Sequence, residues 1–581
     1  MNLPIRRYWN LLISYLQPQH RRALLLAALL LTNIGLRLLS PQIMRFFIDT
    51  ALAGGAQRQL LQAALLFLGV AFAGQALTVV TNYLSEQVGW TATNRLRFDL
   101  VAHCLHLDLT FHKVHTPGEL LERIDGDVEK LANFFTQFVI NILSNGLLLI
   151  GVLLLLFLED WRIGGGLTLF ALVALLLLVR LQSRAIPQWD KLRQLTAEFY
   201  GFLGEQLTST EDIRANGAQD YVLQRFYQFL RGWLPVQTQA NLAGYIMSMA
   251  SNALFALGTL ITYSLGGTLG RNGALSIGTV YLLVRYTDLL RMPILQIRNQ
   301  LTDLQQAEAS IDRVERLLHT ASKLPEGGDE RLPAGPLAVN FQQVAFSYDG
   351  AETVLRDLSF QLAPGRVLGL LGRTGSGKST IARLLLRLYD PSSGELYVGD
   401  VQPSKANLQE LRQRVGLVTQ DVQLFQASVR DNLSFFNPAI SDAQMLTVLD
   451  DLELTAWLNA LPAGLDTELT AGGGGLSAGQ AQLLAFARIF LMDPGLVILD
   501  EASSRLDPAT QQLIERAVSK LLQNRTAILI AHRLETVQRA DDILILDSGQ
   551  IVEQGARLAL AADPISHFYH LLQVGLTEVL A

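Results

Sequence analysis

Long apolar stretches dominate the first half of the chain. Six of them hold enough apolar residues to cross a lipid bilayer as helices, which takes about 20 residues each. We predict spanning helices near 21–49, 59–85, 132–158, 163–186, 241–268 and 275–297. The stretch 141–158 is the clearest, whereas Arg37 and Arg45 interrupt the first span and Arg285 and Asp288 the last.

Basic residues between these stretches predict an orientation. They precede the first span, separate the second from the third and follow the fourth, whereas the other turns hold few. Because basic loops stay on the cytoplasmic side, we expect a multi-pass protein of the cell (inner) membrane with both termini cytoplasmic. The first residues lack the pattern of a cleaved signal peptide, so we expect none.

Two connections between predicted spans are long, from the second to the third and from the fourth to the fifth. Apolar residues recur at helical spacing in the segment 119–124, which favours helices over loose loops. At about 1.5 Å per residue, such helices extend well past the membrane surface.

The second half of the chain differs in pattern. A polar stretch rich in turn-forming residues predicts a linker at 321–336, and short strands then alternate with helices. We therefore predict an all-α membrane domain at 1–320 with long cytoplasmic helix extensions, followed by an α/β domain at 337–581.

The amino-acid composition limits the classes of protein to which this chain could belong. Half of the 581 residues are hydrophobic and 17% are charged, as expected for a membrane protein. A net charge of -6 argues against nucleic-acid binding. The single cysteine, Cys104, excludes a disulfide within the chain and a cysteine-based metal site; we expect a buried thiol.

A glycine-rich phosphate loop follows the apolar run 367–371 and precedes a helical pattern. Its backbone N–H groups would face phosphates at a helix N-terminus, Lys378 would reach the β- and γ-phosphates, and Ser379 would bind Mg²⁺. The predicted nucleotide-binding residues here are Gly372, Arg373, Thr374, Gly375, Ser376, Gly377, Lys378, Ser379 and Thr380.

Two carboxylates end the apolar run 496–499. Asp500 would hold Mg²⁺ through water, and Glu501 would orient or deprotonate the attacking water. Such a pair is often a solvated turn, but the phosphate loop upstream favours the catalytic interpretation.

Between these two motifs in the chain lies a third, and the three together resemble the ATP-binding cassette (ABC) proteins. It is the run Leu476-Ser477-Ala478-Gly479-Gln480. The long helical extensions resemble the half-transporter exporters of that family, which carry drugs, lipids or peptides. The resemblance implies a P-loop ATPase domain with a helical subdomain, ATP and Mg²⁺, and ATP-driven export by a dimer through alternating access.

The resemblance also assigns further residues. Gln420 would link Mg²⁺ and water to the membrane domain, His532 would contact the γ-phosphate, and Tyr348 would stack on adenine. The alternatives for His532 and Tyr348 are core side chains. The implied catalytic set is Glu501, His532, Gln420 and Lys378, and the implied metal set is Ser379, Gln420 and Asp500.

Residues Ser477, Ala478, Gly479 and Gln480 would complete the ATP site of a second half-transporter. The family more often has glycine where this chain has Ala478, a basic residue at Ala481 and a small residue at Arg505; the stretch 470–475 lacks the family's Glu-Arg pair. These departures favour a heterodimer with a compensating partner; the alternative is neutral change in a homodimer.

The resemblance further implies two short coupling helices, near 109–115 and near 213–217, that press on the ATPase. The alternative is two solvated hairpins. Charges within the predicted spans either line a path for an amphiphilic or anionic substrate or form ion pairs and reach the headgroups.

The substrate itself, a small molecule, lipid or peptide, is open from the sequence. An ATP-gated channel or sensor of the same architecture is the alternative function, and intact hydrolytic residues disfavour it. The chain shows no cysteine-protease domain before the first span, which leaves peptide export without processing open.

Overall fold

The computed structural model describes residues 15, 17–137, 143–271, 275–324, 327–348, 350, 352–420, 422–470, 476–500, 508–531 and 534–574. The chain divides into two compact units. The first comprises 1–105 and 117–320, and the second comprises 106–116 and 321–581. The short segment 106–116 thus groups with the second unit, although it interrupts the first along the chain.

The described part of the first unit is helical. Its elements are α1 (His20–Leu52), α2 (Gln57–His106), α4 (Pro117–Leu121), a π-helical turn (Glu122–Asp127), α5 (Val128–Gln137), α6 (Ser144–Glu159), α7 (Trp161–Thr208), α8 (Thr210–Ala215), α9 (Gln219–Arg271) and α10 (Ile277–His319); α3 (Leu109–Val114) belongs to the second unit. Helices α2, α7 and α9 run far beyond the apolar stretches, so the predicted long connections are helical.

Four helices among the described residues are long and apolar enough to cross a membrane: Gln17–Leu52, Gln57–His106, Trp161–Thr208 and Gln219–Arg271. The predicted third span falls partly on 138–142, outside the described residues, and its apolar helix α6 has only 16 residues. The predicted sixth span lies in α10, where charged residues lower the hydropathy. The expected number of six therefore remains a prediction.

Apolar side chains of α6, α7 and α10 form the core of the helical unit. Val152, Leu167 and Leu290 are fully buried there, and Thr262 on α9 hydrogen-bonds Thr287 on α10 at 2.8 Å. Cys104 is buried, as expected.

A buried carboxylate joins the π-helical turn to α10. Asp127 is 0% exposed and accepts hydrogen bonds from Arg313 Nε at 2.7 Å and Ser310 Oγ at 2.9 Å. Burial alone would raise the pKa of Asp127, but the bonds from Arg313 and Ser310 outweigh it and hold the pKa below its ordinary value.

The second unit contains two β-sheets. The strands are β1 (Val339–Ser347), β2 (Thr353–Leu362), β3 (Val367–Gly372), β4 (Ser393–Val398), β5 (Val415–Val418), β6 (Leu496–Asp500), β7 (Thr526–Ile530), β8 (Asp542–Asp547) and β9 (Gln550–Ala556). An antiparallel sheet has the order β2-β1-β4, and a larger sheet has the order β5-β6-β7-β3-β8-β9.

Helices of the second unit share two buried apolar cores with its strands. They are α11 (Lys378–Leu385), α12 (Leu408–Arg414), α13 (Val429–Ser434), α14 (Asp442–Asp451), α15 (Thr455–Ala460), α16 (Ala478–Met492), α17 (Pro508–Leu521), α18 (Leu534–Val537), α19 (Arg557–Ala562) and α20 (His567–Val574). Strands β3 and β7 are buried along their whole length, as expected for central parallel strands.

Strand register defines one functional edge of the larger sheet. Strands β5, β6, β7 and β3 are parallel neighbours, so their carboxyl ends lie at the same edge. Ligands of open α/β sheets bind outside such ends. The phosphate loop follows β3, Asp500 ends β6, and Gln420 lies two residues after β5.

Candidate functional site

The phosphate loop has a backbone that requires glycine. Gly372, Gly375 and Gly377 adopt φ values of 150°, 85° and 105°, which other residues rarely adopt. A Cβ on Gly372 would lie 2.2 Å from the carbonyl oxygen of Leu546, and one on Gly377 would lie 2.5 Å from Leu355 Cδ2. The loop is therefore tightly enclosed, and it ends where α11 begins.

Two donors of the loop suit phosphate oxygens. Lys378 is 6% exposed, and its Nζ donates to the carbonyl oxygens of Gly372 at 2.7 Å and Arg373 at 2.8 Å. The buried hydroxyl of Ser376 has no hydrogen-bond partner among the described residues. A buried hydroxyl and a buried ammonium at a helix N-terminus fit an anionic ligand.

The proposed metal ligands meet beside this loop. Ser379 Oγ donates to Asp500 Oδ2 at 3.4 Å, and both are oxygen ligands of the kind that Mg²⁺ takes. Gln420 is exposed and lies two residues after β5, which is the neighbour of β6, the strand that Asp500 ends. The structure thus brings Ser379 and Asp500 together and places Gln420 at the same sheet edge.

Two of the predicted catalytic residues, Glu501 and His532, lie outside the described residues, as does Arg505. Asp500 and Ile530 are register partners on β6 and β7, and both lie at the sheet edge that carries the phosphate loop.

Tyr348, the predicted adenine-stacking residue, is held by side chains of the same unit. Its hydroxyl lies 3.0 Å from Thr380 Oγ1 and accepts from Arg383 Nη1 at 2.8 Å. Its ring packs at nearly a right angle against Tyr389, with centroids 5.0 Å apart. Lys113 Nζ lies 4.5 Å from the centroid of the Tyr348 ring.

Lys113 and Arg383 were missed by sequence reasoning. Arg383 lies three residues after Thr380 on α11 and so shares its helix face, a signal that was present. Lys113 comes from a distant part of the chain, and no sequence pattern connects it to Tyr348.

The pentapeptide at 476–480 opens helix α16. Ser477 is its N-cap: Ser477 Oγ accepts from the Gln480 N–H at 3.2 Å, and Gln480 Oε1 accepts from the Ser477 N–H at 2.9 Å. This reciprocal pair is a capping box. Ala478 is exposed in the first turn and Gly479 is buried, so the methyl group that departs from the family pattern points to the surface. The expected departure at 471–475 lies outside the described residues.

A further cavity of the second unit lies apart from the phosphate loop. It has a volume of about 860 Å³ and is lined by apolar residues including Leu417, Phe425 and Phe435, with Arg488 among them. Arg488 donates to the carbonyl oxygens of Asn432 and Gln423 at 2.7 and 3.0 Å. Burial lowers the pKa of Arg488 to about 10, and no carboxylate among the described residues pairs with it.

The charges in the predicted spans differ in their surroundings. Arg45 forms an ion pair with Glu159 at 2.5 Å, and Arg285 lies 3.5 Å from Asp288, so these follow the ion-pair interpretation. Arg37 is exposed and has no hydrogen bond or ion pair with the described residues.

The fold and the site define a membrane-bound P-loop ATPase. The family model "ABC transporter transmembrane region" matches residues 24–294, and the family model "ABC transporter" matches residues 355–504. The chain is 30% identical over 538 residues to the "ATP-dependent lipid A-core flippase 1" of Colwellia psychrerythraea, covering 89% of this chain and 87% of that protein.

A second relative and a solved structure are also similar to this chain. A "Fatty acid ABC transporter ATP-binding/permease protein" of Mycobacterium bovis is 31% identical over 81% of this chain and 74% of its own length. The solved structure of a bacterial Atm1-family ABC exporter with ATP bound matches with a TM-score of 0.79 at 26% identity, covering 96% of this chain and 98% of the other. The chain belongs to the ABC transporter family as an exporter of the half-transporter type.

Membership confirms the expected fold class and activity. The protein is a membrane protein that binds ATP and couples its hydrolysis to transport, and its half-transporter architecture requires a dimer.

Proposed function

We propose that this half-transporter exports an amphiphilic anion, such as a lipid, from the cytoplasmic side of the cell (inner) membrane. The parallel sheet edge that gathers Lys378, Ser379 and Asp500 supports the ATPase part of this proposal. The exposed Arg37, without a partner among the described residues, supports an anionic substrate because unpaired charges at membrane depth mark substrate paths. The flippase and the fatty acid transporter among its relatives transport such compounds by name.

Residue roles follow from chemistry and from family membership. Lys378 binds the β- and γ-phosphates, Tyr348 stacks on adenine, and Glu501 and His532 act on the attacking water and the γ-phosphate. Ser379, Gln420 and Asp500 hold Mg²⁺, which when bound neutralises charge on the phosphates. ATP binding joins two ATPase domains and hydrolysis releases them, so the membrane domains alternate between two states.

The partner is proposed to be a different half-transporter. Ala478 is exposed at the N-terminus of α16, where it would face the partner's ATP, and Ala481 also departs from the family pattern. Affinity purification of the tagged chain from its native membrane, with subunit masses measured, tests this. Two chain types in a 1:1 ratio support the heterodimer, and one chain type refutes it.

The cavity with Arg488 is proposed to receive the helix of the second half-transporter that corresponds to α8. Helix α8 carries Glu211 and Asp212 in its first turn, and both are exposed, whereas the Arg488 guanidinium has no carboxylate partner among the described residues. In the purified complex, with Cys104→Ser in this chain, Phe435→Cys of this chain should form an intermolecular disulfide with a cysteine placed in the partner half-transporter at the position that corresponds to Ile213. A disulfide that forms equally when the partner's cysteine stands instead at the position that corresponds to Gln224, on the following helix, would refute this docking.

Reconstitution into proteoliposomes tests the function as a whole. We expect ATP-dependent movement of a labelled fatty acid or anionic lipid, and stimulation of ATP hydrolysis by the same compound. Arg37→Ala should weaken the preference for anionic over cationic amphiphiles, with Arg58→Ala at the start of α2 as the control. If wild type and Arg37→Ala show the same preference for anionic over cationic amphiphiles, Arg37 does not select an anionic substrate and the argument for one from Arg37 fails. Passive, hydrolysis-independent flux would instead indicate the channel.

A further inference from the structure

Lys113 lies over the ring of Tyr348 within the second unit. Lys113 lies on α3, in the segment 106–116 that groups with the ATPase, and its Nζ is 4.5 Å from the ring centroid. A cation at this distance over an aromatic face is attracted by the ring's quadrupole. One face of the ring, on which a base could otherwise stack, is thus occupied by an ammonium.

The ring itself is fixed, so the lysine is the group that can move. The Tyr348 hydroxyl contacts Thr380 and Arg383, and the ring packs against Phe346 and Tyr389 with centroids 4.8 and 5.0 Å apart. Lys113 is exposed and makes no ion pair among the described residues. Displacing its ammonium costs only this one contact.

Helix α3, which carries Lys113, is tied to the chain that leaves α10. Asp108 caps α3 and also accepts hydrogen bonds from the Lys323 backbone N–H at 2.5 Å and Ser322 Oγ at 3.2 Å. A change at Lys113 therefore acts on a short helix whose start is anchored at the linker between the two halves.

We propose that Lys113 and adenine compete for the same face of Tyr348, so that ATP binding releases Lys113 and thereby frees the end of α3. This rests on the proposed role of Tyr348 in adenine stacking. Lys113 is then a positioning residue that reports nucleotide occupancy to α3. It opposes base binding without contacting the phosphates.

Calorimetric titration of the purified, Mg²⁺-containing protein tests the competition. Lys113→Met removes the charge and should tighten ATP binding by about two- to fivefold, the scale of one exposed cation–π contact. Binding of inorganic tripolyphosphate, which has no base, should not change. Lys113→Arg should bind ATP as wild type does, as should the control Lys323→Met, whose side chain lies on the linker.

Three results would overturn the competition: unchanged ATP affinity in Lys113→Met, weaker affinity, or an equal shift for tripolyphosphate. Tyr348→Ala in the same titration separates the two proposals. If Tyr348→Ala binds ATP as tightly as wild type, adenine stacking itself fails. If Tyr348→Ala weakens binding but Lys113→Met does not tighten it, only the competition fails.

A second measurement follows α3 directly. Amide hydrogen exchange in 109–114 should speed up when ATP is added to wild type, and ATP should have a smaller effect in Lys113→Met because its α3 is already released. An identical ATP effect in both proteins would also overturn the proposal.

Discussion

Asp108 accepts a hydrogen bond from the backbone N–H of Lys323 at 2.5 Å, across 215 residues of sequence. The same carboxylate caps α3 through the N–H groups of Thr110 and Phe111. One buried side chain thus fixes the start of a short helix and the beginning of the linker.

Asp108→Asn should lower the free energy of unfolding of the second unit by about 1–3 kcal/mol at pH 7, because an amide cannot accept all of these bonds. Burial alone would raise the pKa of Asp108, but the hydrogen bonds, first that from Lys323, hold it below its ordinary value. The stabilisation is therefore present above the ordinary carboxyl pKa and is lost as pH falls through the lowered one.

Thermal unfolding of the purified protein at a series of pH values measures this. The difference in Tm between wild type and Asp108→Asn should be largest near neutral pH and should disappear in acid. Asp329→Asn, on an exposed residue of the same unit, serves as the control. A gap that does not depend on pH would show that the charge of Asp108 contributes nothing.

Arg313→Met should destabilise the helical unit by about 1–3 kcal/mol, because it leaves the buried carboxylate of Asp127 without its main donor. Arg316→Met is the matched control: Arg316 is 80% exposed and lies 3.8 Å from Asp312, and exposed pairs contribute about 0–1 kcal/mol. Denaturant titration in detergent followed by circular dichroism compares them. Equal losses in the two variants would contradict the importance of the buried bond.

Much of this architecture follows from sequence pattern, and the exceptions have physical reasons. The apolar stretch near 163–186 and the glycines at 372–377 determine local structure, so the spanning helix and the phosphate loop could be predicted from them. Helical extensions beyond the apolar stretches were predicted, but the residues at which α2 and α7 end were not, because the hydropathy of the apolar stretch says nothing about where a polar extension stops. The contacts of Asp108 with Lys323 and of Lys113 with Tyr348 join distant segments, and no local pattern encodes them.

Ser477→Ala should cost about 1 kcal/mol of stability by removing the cap of α16 and should also abolish most ATP hydrolysis, because Ser477 is proposed to face the partner's ATP. Helix α14 offers a matched control, since Ser441 and Gln444 form the same capping box. Ser441→Ala should lose similar stability and keep hydrolysis. If both variants hydrolyse ATP equally well, Ser477 acts only as a cap.

Glu501→Gln should retain ATP binding and stall turnover, since the amide keeps the size of the side chain but cannot accept a proton. Filter binding of labelled ATP, together with phosphate release by the same sample, separates the two steps. Near-normal hydrolysis by this variant would overturn the role proposed for Glu501.

Export by this half-transporter requires that the loop holding Lys378 takes part in hydrolysing ATP. Phosphate release by the reconstituted dimer tests it most directly, comparing wild type, Lys378→Met and Lys405→Met, the last on an exposed lysine of the same unit. Wild type and Lys405→Met should release phosphate at equal rates. Lys378→Met should be slower by about 100-fold or more, because it lacks the lysine ammonium that stabilises the negative charge of the phosphates. An undiminished rate in Lys378→Met would contradict the account.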